Sequence, residues 1–202
     1  MKKLTDNKQS LDWVFIDYEY DWTKEESRNF IKDELSQLNT WGSTNISKYI
    51  SEMPLGDYMY DMCDIANDNY DTSQYFHLLA YEGNNLVGTS LIAINSKDIR
   101  FEFNDFTLPN NMKILFLIVN PEYQNLGIGT RMIKSIIENQ DFFSHKSKTS
   151  GISTDIHNEN ISSQKAFLKN NFTTFTPPRK KPRYMRYFYI EKKEQNNNLE
   201  QL

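Results

Sequence analysis

The alternation of apolar and polar residues along the chain changes period sharply near its middle. An uninterrupted apolar run at residues 114–119 predicts a strand that is covered on both faces. Beyond Pro121, apolar residues recur at helical spacing, which predicts an amphipathic helix. They are Ile128, Met132, Ile133, Ile136 and Ile137. Gly127 and Gly129 lie between the two elements, so the pattern predicts a strand, a tight loop and a helix N-terminus in immediate succession.

The remaining segments predict a mixed α/β domain. Residues 12–20 alternate aromatic and acidic side chains as a first strand, residues 23–26 form a capping box at a helix start, and a second helical region follows Trp41. Further strands are predicted over residues 75–80 and 85–94, with a hairpin turn between them, over 100–108 and 151–156, and as two strands within 173–190. We expect one domain over residues 1–202, frayed near 1–10 and 195–202.

Composition and charge narrow the class of protein. The chain has 202 residues, of which 38% are hydrophobic and 14% aromatic, enough to bury one core. No apolar run approaches the roughly 20 residues of a membrane span, and the first ten residues hold no apolar core of a signal peptide, so a cytoplasmic protein is expected. A net charge of −4 argues against nucleic-acid binding. The three histidines of the chain do not have the spacing of metal ligands, so no metal site is predicted.

The loop between the apolar strand and the amphipathic helix suits an anion. The unpaired amides of a first helical turn and the positive end of the helix dipole point towards it, and Gly127 and Gly129 allow positive φ and close approach. The loop lacks the Gly-Lys-Ser/Thr of a P-loop and the three glycines of a dinucleotide site. The glycine pair alone leaves two readings open, a phosphate site and an ordinary turn between strand and helix.

The sequence Gln124-x-x-Gly127-x-Gly129, placed after Val119-Asn120-Pro121, resembles the acyl-coenzyme A loop of the GNAT acyltransferase superfamily. That loop has Arg or Gln, two residues, Gly, one residue and Gly or Ala, after a strand ending in Val-x-Pro. A second stretch resembles the family's strand, Asn, short helix and Gly-Phe. Its matching positions are Asn160, Ser163 at the usual Ala, Lys169 and Phe172, with Asn171 in place of Gly. The resemblance covers about residues 76–190.

The resemblance implies a GNAT fold, with a mostly antiparallel sheet splayed at the strand ending near Val119 and about four flanking helices. It implies direct transfer of an acetyl group from acetyl-coenzyme A to a primary amine of a small molecule or protein. A backbone amide near Val119 would polarise the thioester carbonyl, and Asn160 would bind the pantetheine, cap its helix, or do both. The pyrophosphate would be held by the loop, which comprises Gln124, Asn125, Leu126, Gly127, Ile128, Gly129 and Thr130.

The chain lacks side chains for proton transfer at the positions where the family usually has them. Phe167 stands at the position of the family's general-acid Tyr beside the coenzyme, and Leu115 and Phe116 occupy the stretch of its usual Glu base. A general acid contributes about 10²- to 10⁴-fold, while a thiol with a pKa of about 8.5 is an adequate leaving group as the thiolate. Acetyl transfer is therefore compatible with the loss of the general acid. Tyr184 or Tyr187 could supply a phenol, although aromatic residues at such positions more often form core or the wall of the acceptor pocket.

A row of carboxylates is the feature of the sequence that relates to the charge of the amine acceptor. Between Tyr49 and Ser96 the chain has no Lys or Arg, and acidic residues recur at steps of four and three. They are Asp57, Asp61, Asp64, Asp68 and Asp71. The row is either the solvated face of a helix or a surface that attracts a cationic amine. In the second case Asp57 and Asp61 are candidate bases, since crowded carboxylates hold protons more readily.

Two further functions stay open beside the acetyltransferase. One is a non-catalytic acyl-coenzyme A binding module, favoured by Phe167 and the apolar strand. The other is a phosphate-binding interaction domain that merely shares the loop. The sequence leaves the acceptor, the acyl length and the oligomeric state open, with a homodimer as one option.

Overall fold

The computed structural model describes residues 2–6, 11–17, 24–41, 54–68, 74–94, 102–103, 106–107, 111–143, 151–175 and 184–189. Ten strands occur in this part of the chain. They are β1 (Lys2–Asp6), β2 (Leu11–Asp17), β3 (Gln74–Glu82), β4 (Asn85–Ile94), β5 (Glu102–Phe103), β6 (Phe106–Thr107), β7 (Asn111–Val119), β8 (Gly151–His157), β9 (Thr173–Phe175) and β10 (Tyr184–Tyr189). Eight form one sheet in the order β1-β2-β3-β4-β7-β8-β10-β9, and β5 pairs with β6.

Five α-helices flank the sheet in the described ranges. They are α1 (Glu25–Ser36), α2 (Leu55–Asp68), α3 (Ile128–Glu138), α4 (Gln140–Phe143) and α5 (Ile161–Lys169). Two short 3₁₀ turns, Gln37–Thr40 and Pro121–Tyr123, follow α1 and β7 respectively. No helix among the described residues is long and apolar enough to cross a membrane.

Each face of the sheet carries its own apolar core. On one face, Phe76 and Ile114 belong to the core that contains Met132 of α3. On the other face, Leu79 and Ile118 belong to the core formed with α1 and α2. Strand β7 therefore contributes to both cores, which is why its sequence is apolar without alternation.

The strands β7 and β8 separate after a short parallel contact. They pair in register only over residues 111–113 and 151–153, whereas every other neighbouring pair in the main sheet is antiparallel. Beyond the pairing, the Thr154 hydroxyl donates to the Ile114 carbonyl at 3.0 Å. Leu115 forms a bulge, because Leu91 pairs with Phe116 and Ile92 with Ile114. The bulge and the lost pairing open a wedge between the two strands.

This architecture confirms the predicted fold class, a mixed and mostly antiparallel sheet that splays near Val119 and is flanked by helices. The helix that begins after the glycine loop and the strand over 151–156 are also confirmed. Asn171 has φ 62°, so the Asn takes the left-handed position of the family's glycine.

At the ends of elements, one prediction was wrong and two others fall partly outside the described residues. Residues 2–6, expected to fray, form β1, because the edge of β2 offers unpaired backbone groups along residues 11–15. Helix α1 begins at Glu25, and its N-cap Lys24 makes no side-chain capping bond; Thr23 of the expected capping box lies outside the described residues. The first strand is described from Leu11 to Asp17, and 18–20 lie outside that range.

The expected strand over 100–108 also needs correction. Within it, β5 and β6 pair with each other as a separate hairpin and do not extend the main sheet. The predicted frayed end at 195–202 lies outside the described residues.

Candidate active site

A cleft of about 380 Å³ opens between the C-terminal end of β7, the N-terminus of α3 and the start of α5. Every residue predicted to bind the coenzyme lines it except Leu126, whose side chain is 63% exposed in the loop. Two motifs that are distant in sequence therefore meet around one space.

The loop that enters α3 is held in shape by its own side chains. Asn120 Oδ1 accepts a hydrogen bond from the Glu122 amide at 3.0 Å, and Gln124 Nε2 donates to the Val119 carbonyl at 3.2 Å. Asn125 has φ 65° and Gly127 has φ 79°. The left-handed Asn125 was missed in the sequence, although Asn is among the non-glycine residues that most readily adopt this conformation.

The two glycines have different roles. Gly127 supplies the positive φ, and a Cβ there would meet nothing within 4 Å. Gly129 lies within α3, and a Cβ there would stand 3.4 Å from Leu117 Cδ2 and 3.5 Å from Val119 Cγ2. It therefore faces β7, and the close approach it serves is between helix and strand.

The first turn of α3 presents unpaired amides to the cleft. The Arg131 amide donates to the Gly127 carbonyl at 3.1 Å, as the first i to i−4 bond of the helix. The amides of residues 128–130 precede it and have no acceptor within α3. Because these residues line the cleft, their N–H groups and the helix dipole favour an anion there.

The free edge of β7 faces the wedge. The Asn120 amide donates to the Val87 carbonyl of β4 at 2.9 Å. Since backbone groups alternate along a strand, the amides of Val119 and Leu117 point the opposite way, towards the gap left by β8. This edge offers hydrogen-bond donors to a ligand that extends from the loop into the wedge.

Helix α5 supplies the opposite wall of the cleft. Asn160 Oδ1 accepts from the Ser163 amide at 3.2 Å, so the Asn is the helix cap, and the same residue lines the cleft. Phe167 is 3% exposed and packs edge-on against Phe172, with ring centroids 4.9 Å apart. Its ring closes the cleft with a hydrocarbon surface and has no acidic proton to donate.

The predicted proton-transfer residues lie away from this cleft. Asp57 and Asp61 are exposed on α2, and Asp57 accepts a hydrogen bond from Asn39 Nδ2 at 3.4 Å. Tyr184 of β10 is 47% exposed and meets the His157 ring edge-on at 5.3 Å. Tyr187 is 1% exposed in the apolar core. The side chains of Asp64, Asp68 and Asp71 lie outside the described residues.

The structure brings together a charged cluster that the sequence analysis missed. Asp155 of β8 accepts hydrogen bonds from Arg186 of β10 at 2.6 and 3.0 Å, and its Oδ2 lies 2.9 Å from Lys113 Nζ of β7. Burial alone raises the pKa of the Asp155 carboxyl, but the hydrogen bonds and charges of Arg186 and Lys113 outweigh it and hold that pKa below its usual range. The signal in the sequence was one Lys, Arg or Asp on each of the three strands.

The fold is similar to solved acetyltransferase structures. An uncharacterised protein from Bacillus halodurans has a TM-score of 0.64 at 16% identity, covering 94% of this chain and 89% of that chain. An acetyltransferase from Thermus thermophilus has a TM-score of 0.55 at 12% identity, covering 95% and 100%. A PaiA N-acetyltransferase from Thermoplasma acidophilum, solved with coenzyme A, has a TM-score of 0.52 at 14% identity, covering 90% and 99%.

At these identities the likeness concerns the fold, and a search of curated proteins gives no match. The family comparison is more specific. Residues 11–172 match the acetyltransferase (GNAT) family, a span that includes the glycine loop, the wedge and the α5 motif. The chain therefore belongs to the GNAT family of acetyltransferases.

Proposed function

We propose that the protein is an N-acetyltransferase that moves an acetyl group directly from acetyl-coenzyme A to a primary amine. One observation carries the proposal. The cleft joins the unpaired amides of the α3 first turn to the free backbone edge of β7, so one ligand can contact both. A diphosphate followed by an extended amide-containing arm, which is the shape of coenzyme A, matches that order of groups.

The proposed chemistry follows from these groups. In this scheme the pyrophosphate would lie at the amides of residues 128–130, and the pantetheine would run along β7 with Asn160 opposite, since these residues line the cleft. The neutral amine attacks the thioester carbonyl, whose oxygen gains negative charge and accepts a hydrogen bond from the Val119 or Leu117 amide. A donor aimed at developing charge contributes about 3 to 4 kcal/mol. The carbon–sulfur bond then breaks, and coenzyme A leaves as the thiolate.

Proton transfer in this scheme does not pass through Phe167. The attacking amine must lose a proton, and the thiolate gains one from solvent or from a nearby acid. Asp57, Asp61 and Tyr184 remain candidates for these roles, each exposed to solvent. Tyr184 alternates with Met185 and Tyr187 of the α3-side core, so it lies on the sheet face opposite α3.

The test begins with thermal unfolding in the presence of acetyl-coenzyme A, coenzyme A and ATP. A ligand at 100 Kd adds about 2.7 kcal/mol, and a chain of this size gains roughly 2 to 4 °C in Tm per kcal/mol. We expect a rise of several degrees with both coenzymes and little with ATP. Thiol release with a panel of amines, measured on the same samples, then tests transfer.

A matched pair of variants tests the site. Thr130→Glu places a carboxylate among the amides that would hold the pyrophosphate, so it should repel that ligand. A negative charge at a helix N-terminus is favourable to the helix dipole, so the variant should still fold. Lys134→Gln, one turn further along α3, changes the net charge by the same amount at an exposed position outside the cleft. We expect Thr130→Glu alone to abolish the rise in Tm with acetyl-coenzyme A.

The alternatives give other outcomes. A rise in Tm without amine-dependent thiol release would favour a non-catalytic acyl-coenzyme A binding module. Equal responses to coenzyme A, ATP and simple diphosphates would favour a phosphate-binding domain. No response to any coenzyme would overturn the cofactor assignment.

A further inference from the structure

The charged cluster of Lys113, Asp155 and Arg186 stands at the closed end of the wedge. Lys113 pairs with Ser153 in the last register pair between β7 and β8, and Asp155 lies two residues further along β8, where the strands have separated. Arg186 pairs with Asp155 from β10 and contacts both oxygens of its carboxylate. The cluster therefore borders the space into which the free edge of β7 points.

The cluster lies on the opposite face of the sheet from α3. Met112 and Ile114, which flank Lys113, both belong to the α3-side core, as do Met185 and Tyr187 on either side of Arg186. Because side chains alternate along a strand, Lys113 and Arg186 project from the other face. A coenzyme held by α3 and α5 would occupy one side of the wedge, and the cluster would then face the side left for the acceptor.

Lys113 and Arg186 are two cations around one carboxylate, that of Asp155, which they hold ionised. The Lys113 ammonium has three donors, and among the described residues its partner is Asp155. The side chains of Lys113, Asp155 and Arg186 are 23%, 26% and 38% exposed, so a solute reaches them while much of each is shielded from water.

Resting on the proposed function, we propose that the acceptor bears a carboxylate within a few bonds of its reacting amine and that Lys113 and Arg186 bind this carboxylate. Asp155 is the positioning residue that holds both cations at the wedge. Leu117 lies four residue steps beyond Lys113 along β7, about 13 Å, a span that a lysine side chain and a short amino acid bridge together. The carboxylate row of α2 would favour a polyamine, but a polyamine would meet the cations of Lys113 and Arg186 at this point.

The test uses matched acceptors that differ in one charge. Amino acids, their carboxamides and a polyamine are compared in acetyl transfer by the full-length protein, with thiol release as the readout. We expect the carboxylate member of each pair to have a kcat/KM at least about tenfold higher, mainly through a lower KM, because charge-assisted hydrogen bonds to it are lost in the amide.

Variants assign that preference to the cluster. Lys113→Gln is expected to reduce the ratio between acid and amide to less than about threefold, and Lys113→Arg to restore it, since either cation can reach a carboxylate. Lys134→Gln removes one positive charge from an exposed site on α3 and keeps the full ratio. A ratio near one in the wild type, a preference for the polyamine, or a full ratio in Lys113→Gln would overturn the inference while leaving acyl transfer intact.

A binding measurement separates failure of this inference from failure of the proposed function. If no amine releases thiol, the transferase assignment falls. Calorimetric titration of the same acceptors into the complex with coenzyme A then tests the cluster alone. Tighter binding of the acid than of the amide, lost in Lys113→Gln, supports the carboxylate site, and equal binding overturns it.

Discussion

Asn170 joins the end of α5 to the beginning of α3, because its side-chain amide donates to the Thr130 carbonyl at 3.0 Å. The same Nδ2 donates to the Ala166 carbonyl within α5 at 2.9 Å. Thr130 lines the cleft on one side and Ala166 lines it on the other. One buried side chain thus fixes the distance between the two helices that enclose the proposed coenzyme.

Replacing this link should weaken both folding and coenzyme binding. Asn170→Ala removes both hydrogen bonds, and we expect a loss of about 1 to 3 kcal/mol in the free energy of unfolding, measured in urea. The Kd for coenzyme A, measured by calorimetry, should rise as well. Asn139→Ala removes a bond of 2.8 Å to the Ser135 carbonyl at the far end of α3 and is the control. An equal change in Kd for both variants would contradict the assigned role.

The two glycines of the loop should respond oppositely to alanine. Gly127→Ala forces an L-residue into φ 79°, which costs about 1 to 2 kcal/mol although the space around it is open. Gly129 has no positive φ, and a Cβ there makes contacts of 3.4 and 3.5 Å, which are ordinary packing distances. Alanine also favours the helix, so Gly129→Ala should be neutral or stabilising by up to about 1 kcal/mol. Urea denaturation of the two variants measures their free energies of unfolding. A similar loss of stability in both would contradict this prediction, because it would mean that steric contact at the added Cβ, and not the sign of φ, limits both positions.

Features set by neighbours in sequence were the ones the sequence predicted. The strand, loop and helix around Gly127, the cap at Asn160 and the left-handed Asn171 each depend on a few adjacent residues. Their conformations follow from local sterics and hydrogen bonds, so a motif is sufficient to recognise them.

Features set by the packing of distant segments were missed. Lys113 and Asp155 meet only because β7 and β8 pair briefly before they separate. The acidic periodicity of α2 indicated a helical face, and the helix is confirmed, but periodicity does not reveal what that face meets. Asp57 lies beside Asn39 at the junction with the turn after α1, outside the cleft.

Buried His77 should make the fold sensitive to mild acid. Complete burial lowers the pKa of its imidazole from 6.5 to about 3, and it is hydrogen-bonded to Thr89 of the next strand. The folded state thus keeps His77 neutral, while the unfolded chain binds a proton below its pKa of 6.5. Stability is therefore retained above this pH and lost as pH falls towards 3. Between pH 7.5 and 5.5 this one group removes about 1.4 kcal/mol from the free energy of unfolding.

A variant isolates the contribution of this histidine. His77→Gln removes the titrating ring, so its free energy of unfolding should fall about 1.4 kcal/mol less than that of the wild type over the same pH interval. His157→Gln, at the end of β8, retains His77 and should keep its contribution to the slope. Urea titrations at a series of pH values measure the slopes. Parallel curves for wild type and His77→Gln would mean that the ring already bears its proton in the folded state, or remains neutral in both.

Restoring a phenol at Phe167 should speed release of the thiol. In many members of the GNAT family a Tyr at this position protonates the departing thiolate, and here the Phe167 ring lines the cleft without an acidic proton to give. General acids contribute about 10²- to 10⁴-fold where they are fully evolved, so we expect Phe167→Tyr to raise kcat at least about tenfold while KM for acetyl-coenzyme A changes little.

Phe172→Tyr is the matched control, because its ring packs against Phe167 but does not line the cleft. It should lower the free energy of unfolding by about 1 to 3 kcal/mol, through an unsatisfied buried hydroxyl, and leave kcat unchanged. An unchanged kcat in a stably folded Phe167→Tyr would show that protonation of the thiolate does not limit the rate.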